Sequence, residues 1–253
     1  MTNITLNNLS LTSGSISVSS ITHDSAPENI LNFGQIPRRD RAKLVSSEYS
    51  PKKIVIEGTI TGDSQDDMET NLDNFKKSVY KTEINLDISY ETSTRRYVVS
   101  PASIVITRGA NNVTFAGFAI ELVAVDPAGQ ATSTISQSWT SIDNGTYKAT
   151  FTAVGTMYPE PQLSFLVNSC FTFSELSIQN SYRNDTLTIP GLFSAGDTII
   201  ADIGARKVSR NTIEHEYGGV FPEFTTDNNI ITLGLTADSC NIDMTLTYIP
   251  RYL

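Results

Sequence analysis

Histidine is almost missing from this chain. Two occur in 253 residues, His23 and His215, so a catalytic relay built on imidazole needs a long-range coincidence. Cysteine is as scarce. Cys170 and Cys240 are too few for a disulfide framework or a cysteine-rich zinc site. The opening MTNITLNN has neither the basic nor the apolar stretch of a secretory signal. Both thiols are therefore expected to stay reduced and to pack as small hydrophobes, with a disulfide open to them if their strands adjoin. Long apolar runs are missing as well. The longest, residues 118–125, is broken by Glu121 and is far too short to cross a bilayer, so no membrane insertion is expected. There is no glycine-rich phosphate loop with its lysine and no Gly-x-Ser-x-Gly elbow. Positive charge is the scarcer sign. The net charge of −9 argues against a general nucleic-acid binder, which needs clustered Lys and Arg. The deficit is uneven: residues 1–129 hold 12 basic and 15 acidic side chains, residues 130–253 only 6 and 12.

What fills the chain instead is Ser, Thr and Asn around short apolar stretches, a composition for sheets and turns. Residues 1–21 nearly alternate apolar and polar around Ser13-Gly14, which reads as a hairpin. Alternation then stops over residues 22–40, a stretch too long and irregular for an ordinary connection. Its apolar residues Ile30, Leu31, Phe33 and Ile36 read as an arm that packs on something. Strands are expected at 42–49 and 54–61. One amphipathic helix follows, at about 64–81. Its apolar residues Met68, Leu72, Phe75 and Val79 are spaced four, three and four apart and share one face. Asp63 or Ser64 can cap it. Asp66, Asp67 and Glu69 suit its first turn and Lys76, Lys77 and Lys81 its last. Burying that face is worth roughly 6–12 kcal/mol at about 1.5–3 per side chain, so the helix should lie on a sheet. Further strands are expected at 84–89, 97–107 and 113–125. Residues 126–138 read as a connecting segment. The second half reads as β throughout, at 147–154, 162–167, 171–178, 185–189, 197–202, 230–235 and 242–248, the spacing of a sandwich or jelly roll.

Candidate chemistry is thin. In Glu214-His215-Glu216 a strand would split the three ligands between two faces, which disfavours a metal. His23, beside Asp24, reads as an ion pair or an exposed ring. The carboxylates of 63–69 match no EF-hand and are explained by helix capping. Arg38, Arg39 and Arg41 form the densest positive patch. It can contact phosphate, end a solvated loop, or pair with an acidic neighbour in an oligomer. Trp139, the only tryptophan, reads as a domain-junction anchor or a carbohydrate platform. No cofactor, metal or catalytic residue is expected.

Several segments together resemble the distal tail proteins of siphophages: the arginines 38–41, the strand IVIEGTI at 54–60 and the helix METNLDNFKK at 68–77. In the second half YPEP at 158–161, GDTIIAD at 196–202, GVFPEF at 219–224, NNI at 228–230 and YIPR at 248–251 follow in the family's order. The resemblance implies a mainly β chain. A tail-tube-like β-sandwich with one flanking helix would occupy residues 1–128, a linker 129–138, and a galectin-like β-sandwich 139–253. It implies a non-enzymatic structural component of the virion tail tip, assembled in the host cytoplasm. Six copies would form a ring joining the tail tube protein to the tip hub or fibre protein and letting DNA through. The arm 22–40 would wrap the adjacent protomer, making Ile30, Leu31, Phe33, Ile36, Arg38, Arg39 and Arg41 subunit-interface candidates. The alternative is a carbohydrate-binding module contacting host cell-wall polysaccharide.

Overall fold

The computed structural model describes residues 3–23, 25–35, 42–109 and 111–253, which fall into two compact units, residues 1–130 and 131–252. The chain is mainly β, in antiparallel sheets, with one helix among the described residues.

In the first unit seven strands hydrogen-bond in the spatial order Leu9–Ser10, Asn3–Leu6, Ile84–Ser89, Thr94–Thr107, Phe115–Ala124, Lys52–Thr61, Ile16–Thr22. Burial alternates along the central strands, as in Lys52–Thr61, where Ile54, Ile56 and Ile60 are fully covered. The helix Gln65–Val79 lays Met68, Leu72, Phe75 and Val79 into this core, the face marked by their spacing. Phe75 meets Phe118 with ring centroids 4.7 Å apart. At Gly58 any Cβ would strike that Phe118 ring and the Ser17 carbonyl, so the close approach requires glycine. Ser64 caps the helix by accepting the Asp67 N–H, and Asn71 donates to the Thr61 carbonyl at 2.9 Å, tying helix to strand.

The first hairpin is not centred on Ser13-Gly14. The tight turn lies at Asn7-Asn8, both in the left-handed region, and joins Asn3–Leu6 to Leu9–Ser10. Gly14 serves the stretch that leads to Ile16–Thr22, which pairs with Lys52–Thr61 at the far end of the strand order. Alternation identified strands here but not their partners.

The second unit is two sheets around one core. Ile135–Asp143, Ser239–Tyr248, Gln162–Phe171, Thr198–Asp202, Lys207–Arg210 and Ile213–Glu214 form one. Gly145–Thr152, Asn228–Thr236, Glu175–Asn180, Thr186–Pro190 and Gly218–Gly219 form the other. Phe165, Met244 and Leu246 from the first meet Leu176, Ile178, Leu187 and Leu233 from the second. The stretch 129–138, read from sequence as a linker, is itself partly strand. Gly129–Ala131 is extended, and residues 135–138 open the strand Ile135–Asp143. That strand pairs with Ser239–Tyr248, which supplies the order a composition of Ser and Thr hid. Residues 171–178, expected as one strand, break at Thr172 (φ 52°) into the end of one strand and the start of another in the opposite sheet. Cys170 and Cys240 face each other across the Gln162–Phe171 and Ser239–Tyr248 ladder, and both are free thiols.

Candidate functional site

Part of the irregular arm is regular. Asn29–Gln35 and Ala42–Tyr49 pair antiparallel as a two-stranded ribbon that joins no other sheet among the described residues. Residues 22–40 thus hold a strand where the sequence reading had none. The register sets Asn29 opposite Tyr49, Leu31 opposite Ser47 and Phe33 opposite Leu44, with a bulge between Asn32 and Phe33. By that register Leu31, Phe33, Leu44 and Tyr49 share one face, and Ile30 takes the other beside Glu48. Polar bonds close the base and middle of the ribbon: the Ser50 N–H donates to the Glu28 carbonyl and Asn32 Nδ2 to Ser46 Oγ.

No described side chain of this ribbon is buried. Ile30 and Leu31 are each 47% exposed, Phe33 62% and Val45 69%, with Leu44 and Tyr49 also open. A lone two-stranded ribbon is marginal in water, and an open strand edge with apolar side chains is a template for association. Leu31, Phe33, Leu44 and Tyr49 therefore leave apolar side chains exposed on one face of the ribbon. Of the interface candidates named from sequence, Ile30, Leu31 and Phe33 sit together on this ribbon. Ile36, Arg38, Arg39 and Arg41 lie outside the described residues. Leu44, Val45 and Tyr49, exposed on the same ribbon, were not among those candidates. They fall in a segment that reads as an ordinary strand, and nothing in its pattern marks it as lacking a core.

The remaining sequence candidates are placed as follows. Trp139 lies mid-strand in Ile135–Asp143, opposite Met244, half-buried against the core of the second unit. His23 is buried rather than exposed, its Nε2 2.7 Å from the Tyr90 hydroxyl. His215 Nε2 lies 2.7 Å from the Pro190 carbonyl, and Glu214 ends a short strand pair with Ser209. Among the described residues no three of His, Cys, Asp and Glu gather as metal ligands would.

The most heavily bonded carboxylate is Asp197. It is buried, accepts from the Ser194 N–H at 2.7 Å and from Asn211 Nδ2 at 2.7 Å, and pairs with Arg210 at 2.6 Å. Burial alone would push its carboxyl up. The Ser194 N–H, the Arg210 guanidinium and the Asn211 amide together outweigh that and hold it below the usual carboxylate range. Each partner is local and structural: the cluster fastens the turn before Thr198–Asp202 to the strand Lys207–Arg210.

Residues 4–124 match the family model of the phage tail protein RIFT-related domain. Over 100% of both chains the fold is that of the Dit protein (gp 19.1) of phage SPP1, at 12% identity and a TM-score of 0.72. That protein's structure is described as a paradigm of the hub adsorption apparatus in phages infecting Gram-positive bacteria. A chain of the phage P2 baseplate in its calcium-activated conformation covers 98% of each at 8% identity, with a TM-score of 0.44. No curated protein matches.

Proposed function

We propose that this chain, whose residues 4–124 match the phage tail protein RIFT-related domain, is a structural component of a siphophage tail tip. Six copies close into a ring that joins the tail tube protein to the tip hub or fibre protein and passes DNA during ejection. The carrying observation is the ribbon 29–49, an apolar two-stranded projection with no partner sheet among the described residues. A neighbouring copy supplies the missing cover. Stable contacts of this kind bury about 1,600 Å² in total, and sheet edges of the first unit contribute alongside the ribbon.

The charge fits the same reading. Six copies at −9 each carry −54. DNA moves through a channel that does not hold it, so the lumen is poor in Lys and Arg; a basic lining would bind phosphate by counterion release. The work is done by surfaces, without catalysis or cofactor.

The test is the mass of the assembled particle. Leu31→Asp combined with Phe33→Asp should leave the far-ultraviolet circular dichroism unchanged and reduce the particle from six copies to one in sedimentation velocity. In purified tails the same variant should be missing from the tip. A variant that still forms the full ring would overturn the assignment of the ribbon.

A further inference from the structure

The second unit repeats a tripeptide that the structural role leaves unused. Tyr158-Pro159-Glu160 and Phe221-Pro222-Glu223 are each aromatic, proline, glutamate, and both line one cavity of about 340 Å³. In both the proline is buried and the glutamate exposed, so each presents a ring and a carboxylate on a rigid base. Gly204 and Arg206 complete the wall, Arg206 in a left-handed backbone conformation (φ 52°). The volume is in the range of small-ligand sites, about 300–1,000 Å³.

The loops that form it are held from beneath. Asn180 and Asn229 are each 1% exposed. Asn180 Nδ2 donates to the Glu223 carbonyl at 2.6 Å and to Asn229 Oδ1, which also takes the Thr225 N–H. Phe224 is buried against Phe151, and Tyr217 meets Phe221 edge-on at 5.0 Å. The Ile203 N–H donates to the Pro161 carbonyl, joining the first tripeptide to the Gly204 turn. The cavity is therefore pre-organised, which lowers the cost of binding.

Its charges decide the class of occupant. Glu160 Oε1 pairs with Arg251, and Glu223 Oε2 pairs with Arg183 at 2.9 Å. Each carboxylate already has its counter-ion, so neither calls for a cationic ligand, and Arg206 on the wall can donate to neutral hydroxyls. Among the described residues the second oxygen of each accepts no other hydrogen bond. Glu160 Oε2 stands over Gly204, where a side chain would crowd it at 3.1 Å. The site thus offers two oriented acceptors, the donors of Arg206, and two ring faces, with Tyr158 57% exposed. A neutral hydroxyl-rich ring with an apolar C–H face matches all three.

We propose that this cavity binds a neutral saccharide, its ring resting on Tyr158 and Phe221 and its hydroxyls donating to Glu160 and Glu223. It goes beyond the ring role and stands without it. It also relocates the carbohydrate reading from Trp139, which does not line the cavity, to the paired tripeptides.

The test uses the full chain and saturation-transfer NMR with glucose, galactose, N-acetylglucosamine and rhamnose, alongside N-acetylneuraminic acid and the dipeptide amide Arg-Pro. Saturation should reach the C–H protons of at least one neutral sugar, with a Kd of roughly 0.1–10 mM, the range of a single small ring. Tyr158→Ala and Glu223→Gln should each weaken it by about tenfold or more. Both sites are exposed, and an unchanged melting temperature and particle mass would separate lost binding from lost fold or lost ring. No transfer to any neutral sugar, equal transfer in both variants, or stronger binding of the acid sugar or of Arg-Pro would each overturn the proposal.

Discussion

At the scale of single residues, Asp197 sets a pH dependence whose sign follows from its partners. Its carboxyl titrates below the value of about 3.9 expected in the unfolded chain. Between the two values the unfolded state binds more protons. The stabilisation is therefore fully present above pH ~4 and is lost as pH falls through the lower, folded value. Asp197→Asn should cost about 2–3 kcal/mol at pH 7, because Arg210 is left without its carboxylate, and should flatten the acid limb of a urea-midpoint series from pH 7 to pH 3. An unchanged acid limb would remove Asp197 as its source. Burial follows alternation where a strand alternates: Ile54, Ile56, Leu163 and Phe165 are all buried. The bonding of Asp197 was not legible in the sequence, since Arg210 and Asn211 come near only when two strands pair. The burial of His23 was hidden for the same reason; its cover, including Tyr90, arrives from 67 residues away.

At the scale of elements, the helix was the most readable part of the chain and the ribbon the least. The helix announces itself because one face is dry and the other wet, and a period records that contrast. Ser64→Ala should destabilise the first unit by about 1 kcal/mol through the lost cap. Phe75→Ala should cost about 3–5 kcal/mol through the cavity beside Phe118, both read from chemical denaturation. If Phe75→Ala cost no more than the cap variant, the helix would not be seated on the core as described. The ribbon has no such contrast within one copy. Asn29–Gln35 reads NILNFGQ, with apolar residues directed to both sides, so there is no alternation to detect. Strand partners were also hidden, as at Asn7-Asn8 and Ser13-Gly14. Alternation shows that a strand has a buried face but says nothing of which strand lies beside it.

At the scale of the whole molecule, each unit has its own core, and the net charge is the property that copies share. In the proposed ring like charge would oppose gathering six copies, and salt screens it within about 10 Å at 0.1 M. The fraction assembled should rise as sodium chloride increases from 20 to 300 mM (about a fourfold drop in screening length), followed by light scattering. A fall with salt would show that ion pairs hold the ring rather than the apolar ribbon. The two-unit mainly β plan was legible because composition and turn spacing are global properties. The tail-tip reading rested on the order of many short segments, and the paired aromatic-proline-glutamate cavity could not be read at all, since its halves are 63 residues apart and meet only through the fold.

The ribbon also bears on the life of a single copy before it meets others. A stretch whose apolar side chains have nothing to rest on is the first place a protease finds purchase. In the proposed ring, neighbours closing over it would remove that handle. On the proposed assembly, newly made chains that fail to join would be open to removal through the same segment that would have secured them.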